Sequence, residues 1–244
     1  MNDTMRRDAI SRVGMTIAID GPAGSGKSTV SKALATRLGI GYLDTGAMYR
    51  ALTWYCLDEG IDLEDTAAVA AAADRMPLRL VSDPSDPHVW IGDREITLEI
   101  RKPRIALAIK HISTNLDVRA WMATEQRRRM MEAREEGSGM IAEGRDITTV
   151  VCPDADVRVL LLADQEARLR RRTLELYGDV AEEHMEIVRA QVEGRDKADS
   201  QVSEFMVAAP GVETVDSTGL DIDAVCEAVL VFVDRDLEAR DASS

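Results

Sequence analysis

The stretch G-P-A-G-S-G-K-S at residues 21–28 constrains the fold of this 244-residue chain more than any other feature. It has the spacing G-x-x-x-x-G-K-[ST], follows an apolar run at residues 15–20 and precedes a helical segment over about residues 27–38. Glycines in such a loop let several backbone N–H groups point inward at the positive end of the helix, where they form an anion site. The sequence therefore predicts a strand, a loop and a helix that together hold the phosphates of a nucleoside triphosphate.

The side chains of this loop have predictable roles. Lys27 adds a full positive charge, the Ser28 hydroxyl is predicted to bind Mg²⁺, and Thr29 is placed to touch the α-phosphate. Asp44 is a further candidate for the metal, acting through a water molecule. The predicted nucleotide-binding residues are Gly21, Pro22, Ala23, Gly24, Ser25, Gly26, Lys27, Ser28 and Thr29.

The rest of the chain alternates short apolar runs with helical segments, which is typical of an α/β fold. Further strands are predicted at 41–44, 140–143, 157–163 and 213–216, and their apolar character favours a five-stranded parallel sheet flanked by helices. Residues 77–97 instead alternate with period two across two turns, which predicts a small antiparallel sheet inserted within about 61–112. We predict a kinase-type domain over 15–236, a flexible extension at 1–14 and a flexible tail at 237–244.

Composition limits the partners of the protein. The formal net charge of −14 disfavours sequence-independent binding to nucleic acid or anionic lipid, so any anionic ligand must be held by local positive groups. No stretch has the length and apolarity of a signal peptide or a membrane span. The three cysteines are widely spaced among apolar neighbours, which indicates buried reduced thiols rather than a zinc site. These features predict a cytoplasmic protein. The helix periodicity indicates no large apolar patch, which favours a monomer.

Two polar clusters follow predicted strands. One is D-T-G-A-M-Y-R at residues 44–50 and the other is E-G-R-D at 143–146. Ligands of a doubly wound sheet bind beyond the carboxyl ends of its strands, so both clusters are predicted to lie near the bound nucleotide. We interpret Tyr49 and Arg50 as a clamp for a phosphate and a base. Arg145 is placed to hold a second anion, and Asp146 to orient magnesium or its waters.

A basic region lies nearer the C-terminus. Arg168, Arg171 and Arg172 recur at helical spacing, and G-R-D-K-A-D-S follows at residues 194–200 after a polar helical segment. Phosphoryl transfer requires water to be excluded and the charge on the transferred group to be neutralised. We therefore predict a mobile helical lid over about residues 171–200 that supplies arginines. The guanine-reading pattern N-K-x-D is absent, which argues against a GTPase.

The motifs together resemble those of the bacterial cytidylate kinases, a P-loop family that phosphorylates CMP and dCMP from ATP. The matching stretches are I-D-G-P-A-G-S-G-K-S-T, Y-L-D-T-G-A-M-Y-R-A, I-S-x-x-x-x-V-R, E-G-R-D-I-x-T-V-V-x-P-D-A, R-D-x-x-D-S and V-D-S-T. They occur in family order over residues 15–233. The resemblance implies direct in-line transfer from ATP with Mg²⁺, without a phosphoenzyme.

The resemblance also implies residue roles. Thr45 and Asp146 would read the cytosine base with help from Ser113, and Arg50 and Arg145 would hold the CMP phosphate. The implied acceptor-binding residues are Asp44, Thr45, Tyr49, Arg50, Ser113, Arg119, Arg145, Asp146, Arg195 and Asp199. The implied catalytic residues are Lys27, Arg145, Asp146, Arg171 and Arg172.

Two positions depart from the family pattern. Val202 stands where an arginine is usual, and Thr148 replaces a glycine. We expect activity to survive because other cations remain, with Lys197 as a candidate replacement. Two alternatives stay open at this point. One is a P-loop kinase for UMP, AMP or a non-nucleotide acceptor, and the other is a regulator that binds nucleotide and transfers nothing.

Overall fold

The structure is a computed structural model. It describes residues 1–242, apart from the side chains of Arg195 and Ala198. The helices are α1 (Asp3–Val13), α2 (Lys27–Leu38), α3 (Thr45–Asp58), α4 (Thr66–Arg75), α5 (Pro103–Ser113), α6 (Leu116–Glu135), α7 (Gln165–Tyr177), α8 (Glu182–Asp199) and α9 (Ile222–Asp241). The strands are β1 (Thr16–Asp20), β2 (Gly41–Asp44), β3 (Leu78–Leu80), β4 (Val89–Ile91), β5 (Arg94–Glu95), β6 (Met140–Gly144), β7 (Val157–Leu162) and β8 (Glu213–Asp216).

Five strands form the predicted parallel sheet, in the order β2-β6-β1-β7-β8. β1 lies at the centre and is buried along its whole length. Its last residue, Asp20, is in register with Gly144 of β6, and Glu143 of β6 is in register with Asp44 of β2. The carboxyl ends of three neighbouring strands therefore meet at one edge of the sheet, where the sequence places its polar clusters.

The two faces of the sheet have separate apolar cores. Ile17 and Ile19 of β1 pack with residues of α2 and α9, whereas Ala18 packs on the other face with residues of α3 and α6. Successive side chains of a strand point to opposite faces, so a strand covered on both sides must be apolar throughout. The near-continuous apolar runs in the sequence follow from this arrangement.

The antiparallel sheet is also present, in the order β3-β4-β5. Leu78 pairs with Ile91, and Trp90 pairs with Glu95. Val89 and Ile91 are buried and belong to the core that includes α3, so the inserted sheet is fastened to the main domain through β4. None of the described helices is both long and apolar enough to cross a membrane.

The structure differs from the sequence prediction at both ends of the chain. Residues 3–13, predicted to be flexible, form α1, whose Ile10 is buried in the core beside α2 and α9. The guanidinium of Arg6 donates to Asp3 and to Asp234 of α9, and Arg7 donates to the carbonyl oxygens of residues 36 and 37 at the end of α2. Contacts with residues distant in sequence stabilise this polar helix. The hydropathy pattern of residues 3–13 alone therefore does not predict it.

The predicted flexible tail at 237–244 differs in the same way. α9 continues to Asp241, with Leu237 buried and Arg240 paired with Asp156 and Asp236. Residues 243–244 of that predicted tail lie outside the described part of the chain. A buried leucine and two ion pairs therefore hold most of this segment against the domain.

Candidate active site

The loop of residues 21–26 joins β1 to α2 and is closely packed on one side only. A Cβ atom at Gly24 would lie 2.7 Å from the carbonyl oxygen of Arg168, so α7 covers the loop there. A Cβ atom at Gly26 would have no atom within 4 Å, and Gly26 has a left-handed backbone with φ of 94°. The space in front of Gly26, at the start of α2, is therefore open to a ligand and bordered by backbone that only glycine adopts readily.

Two side chains of the loop fit an anionic ligand. Lys27 is buried, and its ammonium group donates to the carbonyl oxygen of Pro22 at 2.8 Å, so the charge bends back over the loop. The Ser25 hydroxyl is buried and has no hydrogen-bond partner among the described residues. A buried hydroxyl without a partner is costly, and a phosphate oxygen would satisfy it.

Oxygen atoms suited to magnesium lie beside the loop. The Ser28 hydroxyl donates to Glu143 Oε1 at 2.6 Å, and the Tyr42 hydroxyl donates to the same oxygen at 3.1 Å. Mg²⁺ prefers carboxylate, hydroxyl and water oxygens, so Ser28 and Glu143 fit this ion. Asp44, the other candidate, binds Arg50 instead. Sequence reasoning missed Glu143 because its proximity to Ser28 depends on β6 lying beside β1.

Arginine and aspartate side chains form ion pairs on the other side of the edge. Three pairs have N···O distances between 2.5 and 3.1 Å, and their side chains are between 13% and 23% exposed. The pairs are Arg50–Asp44, Arg119–Asp146 and Arg145–Asp199. Each member is a predicted acceptor-binding residue, so the structure brings together residues from four separate parts of the chain. Charged groups this far from water are costly unless they are paired.

The remaining acceptor candidates surround these pairs. Tyr49 is largely buried, and burial together with the negative charges of Asp146 and Asp199 raises the pKa of its hydroxyl. The carbonyl oxygen of Ser113 accepts from Arg119 at 3.2 Å. The hydroxyl of Thr45 donates to the carbonyl oxygen of Glu143 at 2.6 Å, so Thr45 does not cap α3. Asp44 is the cap, accepting from the Ala47 N–H at 2.8 Å.

The carboxyl group of Asp146 lies at the centre of this cluster. Burial raises the pKa of Asp146, and the neighbouring charges of Arg119 and Arg145 act in the opposite direction. Burial also opposes the ionised form of Asp44, but the charge of Arg50 and the Ala47 N–H bond hold the pKa of Asp44 below its ordinary value. The cluster thus contains two carboxyl groups whose environments shift their pKa values in opposite directions, a property common at functional sites.

Asp20 connects the two sides of the edge. Its carboxylate is 2% exposed and accepts three hydrogen bonds, from the Ile147 N–H at 3.0 Å and from the Thr148 N–H and hydroxyl at 2.7 Å each. Burial raises the pKa of Asp20 to about 6. The sequence alone does not single out Asp20, whereas Thr148 stands where the resemblance implies a glycine. The hydroxyl of Thr148 binds this buried carboxylate.

The arginines Arg168, Arg171 and Arg172 have different partners in the structure. Arg171 donates to Ser217 in the loop after β8, at 2.9 and 2.6 Å, and Arg172 pairs with Glu175 on its own helix. Among the described residues, no hydrogen bond joins either side chain to the phosphate loop. Arg168 contacts that loop, donating to the carbonyl oxygen of Ala23 at 3.1 Å and to Asp196 at 2.5 Å.

α8 completes this contact, since Asp196 accepts from the Ala23 N–H at 3.2 Å. The side chain of Arg195, a predicted acceptor contact, lies outside the described residues. Lys197 lies on the same helix and is exposed. Helices α7 and α8 therefore meet the phosphate loop through Arg168 and Asp196. The sequence pattern grouped Arg168 with Arg171 and Arg172, and it gave Asp196 no role.

The cysteines and histidines lie apart from this site. The cysteines Cys56, Cys152 and Cys226 are free and buried, as predicted. Each histidine pairs with acidic side chains near the surface, as in His88 with Glu95 and His184 with Asp179. Within the described residues, no group of three or more histidine, cysteine or acidic side chains could hold a metal ion.

Comparisons with known proteins agree with the motifs. Residues 17–235 match the family model described as cytidylate kinase. The chain is 39% identical to a cytidylate kinase of Streptomyces avermitilis, over 92% of this chain and 94% of the relative. It is 41% identical to a cytidylate kinase of Streptomyces coelicolor, over 90% and 92% of the two chains. It is 42% identical to one of Cutibacterium acnes, over 90% and 96%.

Proposed function

Because this chain belongs to the cytidylate kinase family, we propose that it transfers the γ-phosphate of ATP to CMP or dCMP, giving ADP and CDP or dCDP. The observation that carries the proposal is the position of the three Arg–Asp pairs, at the same sheet edge as the phosphate loop. One side of this edge suits a triphosphate and the other suits a second, smaller anion. A kinase needs both.

The donor side holds the phosphates of ATP. The loop amides, Lys27 and the Ser25 hydroxyl provide hydrogen-bond donors, and Thr29 lies one residue beyond Ser28 on α2, where it can reach the α-phosphate. Ser28 and Glu143 would hold Mg²⁺, which would neutralise part of the charge on the phosphate groups. Arg168 and Asp196 fasten the lid helices to the loop at Ala23, which keeps water from this side.

The acceptor side holds CMP. Arg50 and Arg145 bind its phosphate. Arg50 exchanges Asp44 for phosphate oxygens, which suit the planar guanidinium group equally well, whereas Arg145 keeps Asp199 and binds through Nη2. Asp146 and Thr45 read the base, with Arg119 and Ser113 supporting Asp146 from one side. Tyr49 lines the pocket beside Asp146. Asp199 and Arg119 contact the base or the sugar.

The chemical step is a direct displacement. An oxygen of the CMP phosphate attacks the γ-phosphorus while the bond from that phosphorus to the β–γ bridging oxygen breaks, so the electron pair of that bond leaves with ADP. No residue acts as a nucleophile. The protein contributes alignment of the two anions and stabilisation of charge on the transferred group, which supply most of the catalysis in such reactions.

We further propose that the protein acts as a cytoplasmic monomer. Its three free buried thiols suit a reducing compartment. Light scattering after size-exclusion chromatography tests the monomer, which requires a mass near 26.8 kDa.

The proposed activity is tested by a coupled assay of ADP release with ATP and magnesium, offering CMP, dCMP, UMP and AMP in parallel. We expect the fastest turnover with CMP or dCMP. Equal or faster turnover with UMP or AMP would show that the acceptor is assigned wrongly. No turnover with any of the four, in protein that still binds ATP, would show that the protein holds nucleotide without transferring phosphate.

A further inference from the structure

Phe205 is buried in an unusual place. It is 1% exposed and is among the largest fully buried side chains of the protein. However, it belongs to none of the three apolar clusters formed by the described residues. It lies in the irregular segment 200–212, which joins α8 to β8. An aromatic ring that is hidden from water outside the hydrophobic core must be covered by other kinds of group.

One of those groups is the guanidinium of Arg145. Its central carbon lies 5.1 Å from the centre of the Phe205 ring, within the range of a cation–π interaction. Arg145 Nε also donates to Asp199 at 3.1 Å, and Nη1 donates to the carbonyl oxygen of Gly144 at 3.4 Å. Among the described residues, Nη2 has no hydrogen-bond partner. The ring and two acceptors therefore fix the guanidinium while leaving one end for a ligand.

The segment that carries Phe205 is also where this sequence departs from its family. Val202 lies three residues before the ring and offers no charge to an anion. With one cation fewer at this position, the binding of a phosphate depends more on how well the remaining arginines are oriented. A planar, fully buried ring restricts a guanidinium more than an aliphatic side chain does, because the cation is attracted to the ring face.

We propose that Phe205 is a positioning residue that holds the Arg145 guanidinium in the orientation required to bind the acceptor phosphate. This inference rests on the proposed function, in which Arg145 binds the phosphate of CMP. Phe205 itself does not contact the reacting atoms. Its effect therefore belongs to the binding of CMP and not to the binding of ATP.

The test compares F205L with F205Y. F205L removes the ring face, and F205Y keeps it. We expect F205L to raise the Kd and KM for CMP by roughly three- to thirtyfold, the range of a cation–π contact, while the values for ATP stay within about twofold. F205Y is expected to retain the CMP affinity of the natural protein. Calorimetric titration with CMP and with ATP gives the Kd values, and the ADP-release assay gives KM.

The chain offers a matched control in Phe232. This residue also lies against a guanidinium, that of Arg235 at 5.4 Å, but on α9 and away from the site. F232L therefore makes the same substitution and is expected to leave both affinities unchanged. If F205L does not fold, F205M replaces it, because methionine fills more of the space without providing a ring face.

A double-mutant cycle with R145A decides whether the ring acts through Arg145. We expect F205L to have no further effect on CMP binding once the guanidinium is absent. An undiminished effect in the R145A background would overturn the inference, as would equal losses for CMP and ATP. If the natural protein phosphorylates CMP and F205L binds it normally, the inference alone fails. If the natural protein neither binds nor phosphorylates CMP, the proposed function fails as well.

Discussion

The donor and acceptor sides of the proposed active site differ in the groups that would bind the ligand. The phosphate-binding part of the donor side is largely backbone and comes from one continuous stretch, the loop at residues 21–28. The acceptor side is made of charged side chains from residues 44–50, 113–119, 145–146 and 199, and three of its four predicted arginines are each paired with an aspartate. The phosphate loop is therefore formed by residues adjacent in sequence and contains one cation, Lys27. The acceptor side is formed by residues that the fold brings together, and its positive charge is distributed over several arginines. Substitutions should affect the two sides unequally.

The largest effect is expected from K27A on the donor side. Lys27 contributes the loop's full charge, and removing one group that stabilises charge in a transition state typically costs about 10²–10³-fold in rate. We expect at least this loss in turnover, with CMP binding by calorimetry and the circular dichroism spectrum unchanged. Full activity in K27A would exclude the loop from the mechanism.

A large effect on stability is expected from Asp20, which joins the two sides. Its pKa is about 6 in the folded protein, against an ordinary value near 3.9. As pH rises through this window the unfolded chain releases the proton first, so the free energy of unfolding falls, by up to about 3 kcal/mol. Below about pH 4, Asp20 is protonated in both the folded and the unfolded chain, and the free energy of unfolding is not reduced by this group.

The variant D20N isolates this effect. We compare the free energies of unfolding of the natural protein and of D20N in urea at pH 4, 5, 6 and 7, so that the contributions of carboxyl groups that do not interact with Asp20 cancel. We expect the difference, natural protein minus D20N, to decrease as pH rises. A difference that is constant with pH would show that Asp20 titrates normally.

A smaller loss is expected from D146A on the acceptor side. Hydrogen bonds to charged groups contribute about 1.5–3 kcal/mol, so we expect the KM for CMP to rise roughly ten- to a hundredfold while the KM for ATP changes little. The preference for CMP over UMP should also decrease. D154A is the matched control, since Asp154 forms a similar pair with Arg127 at 2.5 Å on the surface. An unchanged acceptor profile in D146A would favour a different acceptor.

The smallest effect expected is an increase in CMP affinity in V202R, which adds a cation to the acceptor side. We expect the KM for CMP to fall by up to about tenfold, as for one charge-assisted contact, with the KM for ATP unchanged. Q201R places the same charge on the exposed neighbouring residue and should have no such effect. An equal gain in both variants would indicate a general attraction of anions.

The same contrast explains what could be predicted from the sequence. The phosphate loop and the five parallel strands follow from local patterns, and the structure has both. Glu143 and Asp20 were missed because their roles depend on which strands are neighbours. Arg168, not Arg171 or Arg172, contacts the loop, since helical spacing does not reveal which face of α7 packs there. The helix α1 was missed because distant contacts stabilise it.

The Arg50–Asp44 pair also bears on the end of the catalytic cycle. Asp44 is a partner to which Arg50 can return when the phosphate leaves the acceptor side, so this guanidinium is not left unpaired in the emptied site. The cost of releasing the diphosphate is thereby reduced. In enzymes whose turnover is limited by product release, a carboxylate that competes with the product for an arginine lowers the affinity for the product and raises the turnover rate.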